Sequence, residues 1–202
     1  MLIKQKINMY YFFKLAVFLF TLSVTCHATA AEQEYDVEVI MFEDISGRYA
    51  KSENWPVIPE ELAVENKAGA DSKTPLNEKR VKYLPGESYK LNDEVKRIEE
   101  SKEYKILLHT AWRQPGLDKA GAFPVHINSN SENPADSYIE GDFTLVMSRY
   151  LHISGVFTFY KATTGGYVPY PLEFSRRMRS RETHYIDHPM VGVVVLATPV
   201  SR

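Results

Sequence analysis

A period of two over residues 139–153 constrains this chain more than any other feature. Ile139, Phe143, Leu145, Met147, Leu151 and Ile153 fall on one face, and Glu140, Asp142, Thr144, Ser148, Tyr150 and His152 on the other. That is the pattern of an antiparallel strand with one face on a core and the other toward water. Arg149 falls on the apolar face; buried there it needs a carboxylate, and Asp187 or Glu173 is expected to supply it. Residues 156–160 continue into a further strand, and Gly165-Gly166 turns the chain into a strand over 167–178. Pro169 and Pro171 put the first half of that strand at a sheet edge. Residues 190–197 are almost continuously apolar, the signature of a strand buried on both faces.

Upstream, residues 35–43 (YDVEVIMFE) place Val37, Val39 and Met41 on one face and Asp36, Glu38, Ile40 and Phe42 on the other. With apolar side chains on both faces, the strand is expected to be central. Residues 44–90 form a long polar connection in which Trp55-Pro56 hints at a docked segment and a short helix fits 59–64. Residues 91–101 fit a helix, with Leu91, Val95 and Ile98 on one face and Asn92 or Asp93 able to cap it. Residues 104–114 return to a strand, with Ile106, Leu108, Thr110 and Trp112 on one face and Leu107, His109 and Ala111 on the other, stopped by Pro115-Gly116. Residues 117–137 read as a second long polar connection. The expected class is α+β, one mainly antiparallel sheet with one packed helix and two long polar loops.

The first 30 residues have the parts of a cleaved signal peptide: Lys4, Lys6 and Lys14, an apolar run over 15–24, and Ala28-Thr29-Ala30 as a small-x-small site. The run is too short to span a membrane, which takes roughly 20 apolar residues. Cleavage would leave residues 31–202 as a single domain without a transmembrane segment, and would remove Cys26, the one thiol, and with it any disulfide or cysteine-bound metal. It also takes three lysines from the 24 basic side chains and none of the 26 acids, for a net charge of −5, which argues against a nucleic-acid partner.

Ionisable groups concentrate at 174–188. Arg176, Arg177, Arg179 and Arg181 repel one another unless carboxylates or an anionic ligand neutralise them. On a strand, Arg177, Arg179 and Arg181 share a face and make an anion cradle, with Arg176 opposite. The competing readings are pairing with Asp36, Glu38, Glu140 and Asp142 across the sheet, or contact with a partner protein. His184, Asp187 and His188 can chelate zinc with His152 or His109, or serve an ordinary turn before Pro189. The zinc reading would suit a metal-dependent hydrolase with Glu182 as base. Nothing else favours catalysis: no serine sits in a nucleophile elbow, and only Glu173, between Leu172 and Phe174, is an acid in an apolar setting. No catalytic residue, metal or cofactor is assigned. Trp112 is expected in the core, and Tyr150 with His152 offers a stacking patch on the polar face.

The segments YDVEVIMFE, LLHTAWRQPG, SRYLHI and SRRMRSRETHYIDHP together resemble the CsiV family of bacterial periplasmic proteins over about residues 35–200. The resemblance implies a non-enzymatic, peptidoglycan-binding accessory protein in the Gram-negative periplasm. It also implies promotion of wall assembly through an outer-membrane lipoprotein activator of a class A penicillin-binding protein; a protein–protein adaptor without direct wall binding is the alternative. It carries no contact residues of its own, so the expected ligand-binding set rests on chemistry. Arginine forks suit stem-peptide carboxylates and aromatic rings suit sugar faces. The set is Arg176, Arg177, Arg179, Arg181, Tyr150, His152, His184, Asp187 and His188.

Overall fold

A computed structural model describes residues 32–46, 80–129, 133 and 135–201. The expected signal peptide, the Trp55-Pro56 segment and the short helix over 59–64 lie outside the described residues. The elements are β1 (Glu34–Asp44), β2 (Lys82–Tyr83), α1 (Asn92–Glu100), β3 (Tyr104–Pro115), β4 (Pro124–Asn128), β5 (Tyr138–Met147), β6 (Leu151–Thr163), β7 (Gly166–Met178), β8 (Thr183–Ile186) and β9 (Val191–Pro199). All the strand pairings are antiparallel. The class is the expected one, but the strands divide into two sheets rather than one, ordered β2-β3-β1-β9-β8 and β4-β5-β6-β7. No helix among the described residues is long and apolar enough to cross a membrane.

The sheets are joined by one core. Val37, Val39 and Met41 of β1 and Val191, Val193 and Val195 of β9 meet Phe143 and Leu145 of β5, Ile153, Phe157 and Phe159 of β6, and Leu172 and Met178 of β7. Trp112 sits fully buried among them, edge-on to Phe143 at 5.4 Å between centroids. On the outer face of the five-stranded sheet, Ile40, Phe42, Val194 and Leu196 pack against Leu91, Val95 and Ile98, so α1 forms a third layer. β1 is therefore central, as its two apolar faces required.

Four local expectations give way. Arg149 is exposed in the Ser148–Tyr150 turn between β5 and β6, so it needs no buried carboxylate, and Glu173 is exposed on β7. Residues 117–137 are not all connection, because Pro124–Asn128 pairs with β5 as an edge strand. The faces of β3 swap midway. Met41 pairs Leu108 but Phe42 pairs Ile106, and the extra residue, Leu107, makes a β-bulge. Leu107 and Leu108 then join the inter-sheet core, while Ile106 and Tyr104 turn to the helix side with Phe42.

The fourth concerns the helix start. Neither Asn92 nor Asp93 caps it; Leu91 holds the N-cap position without a side-chain cap. The cap comes instead from β1. The Glu38 carboxylate accepts the backbone N–H groups of Lys90 and Leu91 at 2.8 and 2.9 Å and lies 2.8 Å from His109 Nε2. Burial works against the Glu38 charge, but the bonds from His109, Lys90 and Leu91 outweigh it and hold the carboxyl below its ordinary value. Replacing Glu38 by Ala strands three partners at a site only 4% exposed; unfolding free energy in urea is expected to fall by about 2–4 kcal/mol at pH 7. Because the folded-state pKa is depressed, this contribution is whole above the unfolded carboxyl value of about 4.3 and is lost as pH falls through the lower folded value. The deficit of Glu38→Gln should therefore narrow between pH 5 and pH 3; a gap constant over that range would refute the assignment.

Candidate functional site

The two ends of the sandwich differ. At one, Lys161 of β6 reaches Glu43 of β1 across the core at 3.0 Å, an ion pair that ties the sheets together. At the other, the β5–β6 turn and the crossing from β7 to β8 stand apart and leave an open cleft of about 420 Å³. Its floor is apolar, formed by Tyr35, Met147, Leu151 and Met178, and its rim carries Ser148, Arg149, Tyr150, Arg179, Ser180 and Glu182.

Each wall has a local cause. The β5–β6 turn is closed by Ser148, whose N–H and Oγ both bond to the Tyr150 carbonyl, at 3.0 and 3.1 Å. This leaves Tyr150 exposed at the tip. The β7–β8 crossing is pinned by the Arg181 N–H donating to the Ala197 carbonyl at 2.8 Å, with Arg181 at φ 65, a left-handed conformation uncommon for a residue with a side chain. The Arg179 N–H donates to His184 Nε2 at 3.3 Å, so that imidazole is an acceptor holding the second wall. Tyr35 floors the cleft, its hydroxyl 3.6 Å from Met147 Sδ, and its ring lies against Gly116, where a Cβ would come within 2.6 Å of it.

The electrostatics are lopsided. Arg177 lies opposite His152 on β6, and its guanidinium sits over the Tyr150 ring at 4.7 Å; Arg149 approaches the same ring at 5.8 Å. Of the four arginines over 176–181, one makes an ion pair among the described residues: Arg179 with Glu182, at 3.5 Å and well exposed. The acids that might have paired with them across the sheet have other partners. Asp36 takes Arg113 at 2.7 Å, Glu38 takes His109, Asp142 takes His126 at 3.2 Å, and Glu140 accepts from Asn128 at 3.2 Å. Guanidinium forks, an aromatic ring and an apolar floor suit a ligand that combines a carboxylate with a nonpolar surface.

The expected set is thus divided. Tyr150 and Arg179 line the cleft, Arg177 adjoins it through Tyr150, His152 lies opposite Arg177 on β6, and His184 supports its wall. Arg176 lies opposite Ile153, on the core-facing side of β7 but exposed because β7 is an edge strand. Arg177, Arg179 and Arg181 do not share one strand face, because β7 ends at Met178. Asp187 and His188 lie beyond the far end of β8. There Asp187 accepts from the Tyr185 hydroxyl at 3.2 Å, and His188 Nδ1 accepts from the Met190 N–H at 3.3 Å. Burial and then Asp187 push the Tyr185 phenol up to about 12. The zinc set is therefore dispersed, and no group of three potential ligands occurs among the described residues. Sequence reasoning missed Tyr35, Met147, Ser148, Arg149 as a rim group, Leu151, Met178 and Ser180.

These features define an antiparallel two-sheet sandwich with a cationic, aromatic-rimmed cleft at one open end. The chain belongs to the CsiV family, described as peptidoglycan-binding protein, whose family model matches residues 12–200. Comparison with curated proteins and with solved structures gives no match.

The cleft floor depends on the close approach at Gly116. Gly116→Ala should lower stability by about 1–3 kcal/mol through overpacking against Tyr35, measured by urea unfolding. Gly86→Ala, where a Cβ meets nothing within 4 Å, is the control expected to cost far less. Equal behaviour of the two would show that Tyr35 is not held as described.

Proposed function

We propose that this protein is exported to the periplasm by its first 30 residues and there binds peptidoglycan without chemically altering it. The end cleft receives stem-peptide carboxylates. The observation that carries this reading is the convergence of Arg149 and Arg177 on the exposed ring of Tyr150, beside Arg179, at a cleft whose one lining acid is Glu182. Bidentate guanidinium–carboxylate pairing supplies the attraction, and the apolar floor accepts the short side chains of a stem peptide. The family description supports a binding role in the wall and, with it, a location outside the cytoplasm. A second part of the proposal follows the family resemblance: bound to the wall, the protein promotes its assembly through an outer-membrane lipoprotein activator of a class A penicillin-binding protein.

Co-sedimentation of residues 31–202 with intact sacculi tests the first part. The wild-type protein should pellet, and the Arg177→Ala, Arg179→Ala double variant should lose about tenfold or more in affinity with an unchanged thermal melt, since both side chains are exposed. Equal binding by the two proteins would remove the cleft from the reading. Release of soluble muropeptides would replace binding by catalysis, and failure to capture the lipoprotein activator in a pull-down would sink the second part alone.

A further inference from the structure

The four-stranded sheet has a second face, turned away from the core, and its rows follow from the register. Val146, His152 and Arg177 form the first row; Pro124, Thr144, Ser154 and Ser175 the next; then His126, Asp142, Val156 and Glu173; then Asn128, Glu140, Thr158 and Pro171; then Tyr138, Tyr160 and Pro169. His126, Asp142, His152, Val156, Glu173, Ser175 and Arg177 are exposed, and Val156, at its centre, is 59% exposed. The far end is aromatic: Tyr138 stacks on Tyr160, which is buried, and meets the exposed Tyr167 edge-on, at 4.5 and 5.0 Å between centroids. From His152 to Tyr160 the face runs eight residues, about 26 Å at roughly 3.3 Å per residue.

Three properties of this face point to one occupant. It is continuous, each row running across strands paired without a break in register. Beyond Arg177 in the first row, its polar groups are hydroxyls, carboxylates, the Asn128 amide and the imidazoles of His126 and His152, which bond to sugar hydroxyls and acetamido groups, while the carboxylates of Glu140, Asp142 and Glu173 disfavour an anionic polymer. It is also continuous with the cleft through Arg177, which ends the first row and lies on Tyr150. Charge is thus partitioned, with cations at the cleft and neutral or acidic groups along the face.

We infer that the outer face of the four-stranded sheet is a binding platform for the uncharged sugar backbone of the glycan strand, running from His152 toward Tyr138 and Tyr167, while the cleft takes the carboxylates of the attached peptide. The inference rests on the peptidoglycan-binding reading above and assigns the sugar chain a surface distinct from the peptide's.

The test uses two probes: intact sacculi, and chitin oligosaccharides, β-1,4-linked N-acetylglucosamine chains that serve as a free glycan with neither peptide nor carboxylate. Wild-type protein should bind both. Val156→Arg and, independently, Ser175→Arg place a long side chain on the face at exposed positions, and each should weaken binding to peptide-free glycan by about tenfold or more with an unchanged melt. Arg149→Ala with Arg179→Ala should weaken binding to sacculi yet leave free-glycan binding within about twofold. Wild-type protein that binds sacculi but not free glycan overturns the platform and leaves the peptidoglycan reading standing; binding to neither overturns both. Free-glycan binding untouched by both face variants also overturns the platform. So does a dimer of the wild-type protein that Val156→Arg splits with glycan binding intact, since the face would then be a contact between copies.

Discussion

A strand that has to be buried on both faces sets the layering of this protein. β1 carries Val37, Val39 and Met41 on one side and Ile40 and Phe42 on the other, so a single sheet with one wet face cannot hold it. The chain meets the demand with different partners on each side, a second sheet over the valines and Met41 and one short helix over Ile40 and Phe42. Nine residues of helix cannot cover eleven residues of strand, and one of the polar positions on that side, Glu38, is turned to use. Its carboxylate anchors the helix start and His109 together, so the acid that interrupts the apolar face is also the group that fixes the layer covering it.

The same layering decides where a site can form. With α1 on the five-stranded sheet and the core between the sheets, the four-stranded sheet keeps its outer face open, and the chain has to pass from β7 in one sheet to β8 in the other at the sandwich end. That crossing is tight: Met178 is the last buried residue of β7 and Thr183 begins β8. The intervening Arg179, Arg181 and Glu182 are exposed. A segment this short, bearing this much charge, has no room to fold back onto an acid of the sheets, so Arg179 stands at the rim. Arg181 in a left-handed conformation marks the strain of the crossing, held by its bond to Ala197.

Much of this was legible in the residue pattern, and the failures have physical causes. The central strand, the buried last strand, the Gly165-Gly166 hairpin and the proline-marked edge were readable because each depends on local chemistry. The β5–β6 hairpin was not, because its loop has three residues: an odd number keeps the parity, and the alternation from Ile139 to Ile153 passes through the turn unbroken. Length held the missing signal, since fifteen residues of strand would run about 50 Å, too far for a domain of this size. Arg149 looked like a buried cation for the same reason, and its place at the rim followed only once the turn was found. The bulge at Leu107 is the opposite case, an extra residue that shifts the parity where the sequence alternates without a mark. Division into two sheets, and hence separation of His184 from Asp187 and His188 along β8, depends on pairings between distant segments that no local pattern encodes.

Exposure also bounds what the cleft can do energetically. An ion pair in water between exposed side chains contributes about 0.2–1 kcal/mol, and a cation over an exposed ring about 0.5–1 kcal/mol. Arg179, with its side chain 75% exposed, belongs to that regime. A single stem peptide held by three such groups gains only a few kcal/mol before the cost of immobilising it, which corresponds to weak binding. Under the proposed function the ligand is a polymer, and that changes the arithmetic. Once one peptide occupies the cleft, the adjoining sugars lie within reach of the sheet face at a high effective concentration, and several weak contacts combine into a stable attachment. A shallow, open, solvent-exposed site is thus a poor design for capturing a free fragment and a sound one for resting on an insoluble wall.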